Sequence, residues 1–317
     1  MMQKLSLLLM ACLAMPATAR PSCPDLDAPP AAVCIAGPYG LAYAEVEKDA
    51  AMAARAFEAA AAPFEFYLGV RPPPGVLVLS TRYSSGDAWD FARGQGLGFG
   101  MSWLPASAGL LSRPDSRTGR SAGRRGARPP DHEGILRHEL GHAIYVATFW
   151  PDSRAVEAQY GGPAADWLDE AVAMLLEPAD SQRARASAFM AAWRASPDRV
   201  PRLEHFLRMP HPALALAETM RTNGRATQSG VVSMQLPAGH TSDALTMFYG
   251  HALVFAGFLV DASGDPRILR HVTNAAVAGA DFETWLADQG ASFGLPATLP
   301  LLEARWSAWL QQVVSKD

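Results

Sequence analysis

A histidine–glutamate pattern in the first half of the chain has the residue types and spacing of a metal-binding site. His138, Glu139 and His142 form an H-E-x-x-H string inside the helix-forming run 134–149. Residues four apart lie one above the other on a helix face, about 6 Å between Cβ atoms, so two imidazoles can converge on one metal ion. Glu139 directly follows the first histidine and can reach a metal-bound water rather than the metal. The pattern predicts a metal site with a general base beside it.

A third protein ligand must come from another segment, because a catalytic zinc ion has three protein ligands and one open position for water. The best candidate is Glu170, which lies 28 residues after His142 in a segment that is expected to be helical. Asp169 and His251 are the alternative third ligands. The expected cofactor is one Zn²⁺ per chain.

The segments around these residues resemble the gluzincin metallopeptidases. HELGH at 138–142 followed by WLDEAVA at 167–173 is similar to the H-E-x-x-H helix and the W-L-x-E-G-x-A segment of that family, most of all in its bacterial exported peptidase MA-like branch. FYGHALVF at 248–255 is similar to the tyrosine-led helix that follows the third ligand, and WSAWL at 306–310 also fits. The resemblance covers residues 134–314 and extends only loosely to the N-terminal part.

Two positions depart from the family pattern. Ala171 stands where glycine is usual, and Asp169 stands where asparagine is frequent. We therefore expect the helix that carries Glu170 to approach the zinc slightly differently, with every donor atom retained.

The resemblance implies a zinc metallopeptidase that acts on a peptide or protein substrate. His138, His142 and Glu170 would hold the zinc ion, and Glu139 would take the proton of the zinc-bound water as it attacks the peptide carbonyl. Two further hypotheses share these residues: a zinc-containing binding or assembly module with little turnover, and a hydrolase of a cell-wall peptide amide. The intact Glu139 argues against the first of these.

Three other residues receive roles from the same resemblance. Tyr249 is the first choice as hydrogen-bond donor to the developing oxyanion, and His251 is the alternative. Asp169 would orient a ligating imidazole, because metal-bound histidines usually donate their second ring N–H to a carboxylate or carbonyl.

The resemblance, together with the elements that must position these residues, implies one α+β, zincin-like domain over residues 20–317. Its N-terminal α/β lobe, 20–162, would carry a small sheet and the H-E-x-x-H helix, and its lobe 163–317 would be helical, with the cleft between them. The N-terminal lobe should contain a helix over 44–62 that ends at Pro63, strands over 64–70 and 76–80, and further short strands within 86–104. The later helices are predicted at 164–177, 181–195, 245–260, 266–278 and 301–314.

The N-terminus indicates export. Residues 1–19 read as a signal peptide with Lys4, an apolar run over 5–15 and an A-x-A cleavage site, which predicts a periplasmic or secreted protein; lipidation at Cys12 is the alternative. Beyond this leader no run of about 18 apolar residues lacks a charge, so no membrane span is expected. Cys23 and Cys34 should then pair as a disulfide.

The charge balance excludes one class of partner. The chain has 27 Lys and Arg against 31 Asp and Glu, too little bias for a nucleic-acid-binding surface.

The arginine-rich segment 113–128 is either a solvated loop or an anion-attracting lip of the cleft. Residues 65–70 or 94–100 could supply an edge strand that pairs with an extended peptide. The oligomeric state is left open.

Overall fold

The computed structural model describes residues 23–24, 33–106, 131–153, 162–214 and 241–316. The predictions on the leader, on Cys12 and on the segment 113–128 lie outside these residues. Cys23 and Cys34 form a disulfide with their Cα atoms 6.1 Å apart.

Four short strands form one mixed sheet in the order β1-β2-β3-β4. The strands are β1 (Val33–Gly37), β2 (Gly40–Ala44), β3 (Gly75–Leu79) and β4 (Phe99–Trp103). β1 runs antiparallel to β2, whereas β2, β3 and β4 are parallel, with Ala42 opposite Leu77 and Leu77 opposite Met101. The first two strands are not among the predicted elements.

Helices cover both faces of this sheet. Side chains alternate between the two faces of a strand, so Leu77 packs into the main core beside α1 (Glu47–Leu68), whereas Val76 packs into a smaller cluster beneath α2 (Ser85–Gly94). Burial on both faces explains why β3 reads as an unbroken apolar run rather than an alternating one.

The first helix is longer than predicted. It continues through Pro63 to Leu68, so the predictions that the helix ends at Pro63 and that 64–70 is a strand are both wrong. Phe64 and Leu68 beyond the proline are fully buried in the main core. This packing outweighs the roughly 3 kcal/mol that an interior proline costs a helix. An edge strand for peptide binding at 65–70 is excluded with it.

The region 86–104 begins with a helix, and the further short strands predicted there reduce to one. α2 begins with a capping box in which Ser84 accepts from the backbone of Asp87 and the Asp87 carboxylate accepts from the backbone of Ser84. Such a box satisfies two backbone donors that a helix start leaves without partners. Only β4 is a strand, and residues 94–98 are not.

The second half of the described chain is helical, as predicted. The helices are α3 (His132–Phe149), α4 (Asp166–Leu175), α5 (Ala179–Ala195), α6 (Leu203–Phe206), α7 (Thr241–Ser263), α8 (Ile268–Val277), α9 (Phe282–Gln289) and α10 (Leu299–Lys316). The α+β class is confirmed. Helices α6 and α9 are not among the predicted elements.

α3 lies between α1 and α4, and α4 lies between α3 and α7. At Gly141, helices α3 and α4 nearly touch, because a Cβ built there would lie 2.7 Å from the Cα of Ala173. A glycine is therefore required for this close approach, which sets the distance between the H-E-x-x-H helix and the helix that carries Glu170.

Among the described residues, one helix is long and apolar enough to cross a membrane by length and composition, α7 over Ala244–Ser263. Of its apolar window, 61% is buried inside the fold. Core helices pass the same test, so this is weak evidence for a span, and the expectation of none stays a prediction.

Candidate metal centre

His138, His142 and Glu170 come together where α3 and α4 cross. One ligand atom from each lies within 4.8 Å of the others. The Nε2 atoms of the two histidines are 3.2 Å apart, and the Glu170 oxygens lie 3.3 Å from Nε2 of His138 and 3.7 Å from Nε2 of His142. These residues are close enough to bind one metal ion.

The chemistry of this donor set fits a metal. The Glu170 side chain is fully buried, yet neither of its oxygens makes a hydrogen bond of good geometry within the described part of the chain. A buried carboxylate without such bonds is costly unless a cation compensates it. Both imidazoles also turn the same nitrogen, Nε2, toward Glu170, which is the arrangement that two ligands of one ion require.

Two carboxylates hold the opposite ring nitrogens. Asp169 Oδ2 lies 3.0 Å from Nδ1 of His142, the position expected of a residue that orients a ligating imidazole, although the direction of the contact departs from ideal hydrogen-bond geometry. Glu177 Oε1 lies 2.8 Å from Nδ1 of His138. By sequence, Glu177 is only the last residue of the predicted helix 164–177, before Pro178. Its one signal is the negative charge at the C-terminal end of a helix, where such a charge is unfavourable.

An arginine completes this arrangement. Arg185 on α5 donates from Nε to Glu177 Oε2 at 2.8 Å and from Nη2 to Oε1 at 2.7 Å. Its guanidinium also lies over the ring of Tyr249, 4.8 Å from the centroid. The Tyr249 ring is in turn 6.0 Å from that of His138. Arg185 therefore links Tyr249 to the support of a candidate ligand.

One member of the candidate triad, His138, borders a cavity of about 200 Å³. His138, the candidate base Glu139 and the candidate oxyanion donor Tyr249 all line it, together with Arg185. The three predicted roles thus meet in one space. A larger and more open cavity of about 390 Å³, beside Arg267, contains none of the predicted site residues.

The electrostatics of the centre favour positive charge. Burial by itself lowers the pKa of His138, but the Glu170 carboxylate outweighs it and raises that pKa to about 10. Burial lowers the pKa of His142 in the same way, and Asp169 with Glu170 raises it to about 9. Burial raises the pKa of Glu170, whereas the two imidazoles bring it well below its usual range. The site thus stabilises a charged carboxylate and cations beside it.

His251 is not part of this centre. Its imidazole is fully buried. The ring stacks on that of Phe206 with the centroids 3.7 Å apart, and it lies parallel to the ring of Trp306 with the centroids 5.9 Å apart. It does not line the cavity, and within the described chain neither ring nitrogen has a hydrogen-bond partner. Burial lowers its pKa to about 3. The predictions of His251 as alternative ligand or oxyanion donor are therefore wrong, because its side chain points into the aromatic core.

His211 is the residue that sequence reasoning missed most clearly. It is fully buried, and its Nε2 lies 3.1 Å from Glu170 Oε1. A single histidine 41 positions from its contact, with no spacing pattern around it, gives no sequence signal.

No known family model matches this chain, and neither a curated protein nor a solved structure is significantly similar to it. The resemblance to gluzincins therefore stays a prediction that depends on the site residues themselves.

Proposed function

We propose that this protein is a zinc-dependent metallopeptidase of the gluzincin type with a zincin-like fold. The observation that carries the proposal is the convergence of His138, His142 and Glu170, with Glu139 lining the cavity that His138 borders. Two nitrogens and one carboxylate are the ligand set of a hydrolytic zinc site that keeps a position open for water.

Glu139 is the general base in this proposal. Zinc, when bound by the triad, would acidify a bound water and polarise the substrate carbonyl. Glu139 follows His138 on α3 and is half-buried at the cavity wall, where it takes the proton from the attacking water and delivers it to the leaving amine.

Tyr249 is the proposed donor to the oxyanion. It lines the same cavity as Glu139, and its ring contacts the guanidinium of Arg185 and makes an edge-on contact with the ring of His138. A donor that is fixed before the reaction stabilises developing charge without a reorganisation cost.

Asp169 and Glu177 act through the ligands. Each holds Nδ1 of one imidazole, which fixes the ring orientation and leaves Nε2 available to the metal. The two hydrogen bonds from Arg185 in turn keep the Glu177 carboxylate charged. Burial raises the pKa of Glu177, but His138 and Arg185 outweigh burial and lower that pKa overall.

Export is part of the proposal. A disulfide between Cys23 and Cys34 is typical of proteins that leave the reducing cytoplasm, in agreement with the signal peptide read from residues 1–19. The peptidase would act in the periplasm or outside the cell.

The test is mass-spectrometric profiling of a mixed peptide library incubated with zinc-loaded protein from residue 20 onward. We expect cleavage by the wild type and none by Glu139→Gln, which keeps the shape of the side chain and should retain zinc. The control is Glu133→Gln in the first turn of the same helix, where the carboxylate pairs with Arg55; this variant should cleave normally.

The cut positions would separate endopeptidase from aminopeptidase action. Absence of cleavage by a wild type with verified zinc would refute the peptide-library activity and favour a cell-wall peptide amide or a binding module. Full zinc occupancy in Glu170→Ala would refute the ligand assignment.

A further inference from the structure

A second buried histidine contacts the third candidate ligand. His211, in the segment after α6, and Glu170 on α4 are both fully buried, and the distance from Nε2 to Oε1 is 3.1 Å. This is within hydrogen-bonding range, although the direction of the contact departs from ideal geometry. The other carboxylate oxygen, Oε2, lies 3.3 Å from Nε2 of His138, whereas Oε1 lies farther, 3.7 Å, from Nε2 of His142.

A backbone contact determines which nitrogen of His211 carries the proton. The backbone N–H of Ala213 donates to Nδ1 at 3.1 Å. An imidazole nitrogen that accepts a hydrogen bond has no proton, so the neutral ring carries its proton on Nε2. His211 therefore presents an N–H group to the Glu170 carboxylate.

The same contact argues against His211 as a fourth metal ligand. Coordination through Nε2 would require the proton to move to Nδ1, where it would face the N–H of Ala213, donor against donor. Each ring nitrogen of His211 thus has one role only.

The position of His211 is fixed by α4, the helix that carries Glu170. Its backbone N–H donates to Asp166 Oδ2 at 2.6 Å, in the first turn of α4 and one turn before Glu170. Its ring packs edge-on against Phe248 at 5.2 Å and lies 5.5 Å from the ring of Tyr249 on α7. The imidazole is therefore held against two of the elements that build the site.

We propose that His211 is a positioning residue that donates its Nε2 proton to Oε1 of Glu170 and so leaves Oε2 for the metal ion. The inference rests on the proposed metal site. A bond to one oxygen restricts rotation of the carboxylate and determines which oxygen the metal meets. Partners of ligating groups commonly contribute ten- to hundredfold to metal affinity.

The test compares His211→Leu, which removes the donor, with His211→Gln, whose side-chain amide can place an N–H near the same point. His205→Leu is the matched control, because it removes an exposed histidine from α6, just before the segment of His211. Three quantities are measured on each purified protein from residue 20 onward: zinc affinity by competition with a chelator, the visible absorption spectrum of the Co²⁺-loaded protein, and thermal unfolding in the presence of EDTA.

We expect His211→Leu to lose zinc affinity about ten- to hundredfold and to change the Co²⁺ spectrum, with His211→Gln retaining most of both and His205→Leu matching the wild type. Unchanged affinity and spectrum in His211→Leu would overturn the proposal, whatever the unfolding temperature, because only packing would then be lost. Equal losses in the Leu and Gln variants would also overturn it.

If His211→Leu does not fold, His211→Met supplies the same comparison with a more adaptable apolar side chain. These readouts do not depend on peptide cleavage. Zinc binding without hydrolysis by the wild type would refute the peptidase and leave the role of His211 standing, whereas no zinc binding by the wild type would refute both.

Discussion

Replacing His251 by phenylalanine should remove part of the acid sensitivity of this protein. The imidazole lies between Phe206 and Trp306 with no hydrogen-bond partner in the described chain, and burial lowers its pKa to about 3. In the unfolded chain the pKa of a histidine is about 6.5. The unfolded state therefore binds a proton between these values while the folded state does not.

The sign and size of the effect follow from this difference. A group with a lowered folded-state pKa contributes stability above its unfolded pKa and loses it as the pH falls. Between pH 7 and pH 5 the unfolded state gains about 0.7 proton at this residue, and integration over this range lowers the free energy of unfolding by about 2 kcal/mol. His251→Phe keeps a stacked ring and cannot bind that proton.

The assay is urea unfolding of the wild type and of His251→Phe in EDTA at pH 5, 7 and 8. The variant should gain about 2 kcal/mol relative to the wild type on going from pH 7 to pH 5, and the difference should stay constant between pH 7 and pH 8. Overpacking by the larger ring would shift all three differences equally. A difference that is independent of pH throughout would refute the placement of a neutral, buried His251.

Two further predictions concern the supports of the metal centre. Glu177→Gln should weaken zinc binding about ten- to hundredfold because the amide replaces the charged partner of His138; chelator competition measures this, and unchanged affinity would show that the contact does not support the ligand. Gly141→Ala should lower the free energy of unfolding by about 1–3 kcal/mol, because its Cβ would lie 2.7 Å from Ala173 Cα. Thermal unfolding tests it against Gly257→Ala, where nothing lies within 4 Å of the added Cβ and a small stabilisation is expected; equal effects of both would contradict the close helix approach.

The sequence was informative wherever a local rule decides the geometry. Spacing of four within a helix places two side chains on one face, so His138 and His142 could be paired from the sequence, and the helix-forming pattern around Glu170 indicated how a third donor is presented. The same kind of rule located β3 and the helices of the second half, because each has its own periodic pattern and boundaries.

Local rules failed where packing outweighed them. Pro63 normally ends a helix, but the buried residues Phe64 and Leu68 continue α1 through it. Tyr249 and His251 are alternative oxyanion donors by sequence. Residues two apart are separated by about 200° around a helix axis, so only one of the two can face the site. The sequence contains this constraint but does not say which of the two faces the cavity.

What the sequence by itself determined is the chemistry available to the candidate centre: two imidazoles on one helix face, Glu139 beside them, and Glu170 as the best of three candidates for the third ligand. Only the tertiary structure decided which groups support that chemistry. Glu177 is 39 residues from His138, and His211 meets Glu170 through a segment with no pattern of its own. Such contacts depend on how helices cross and how closely they approach, which is set by the packing of many side chains at once rather than by any spacing along the chain.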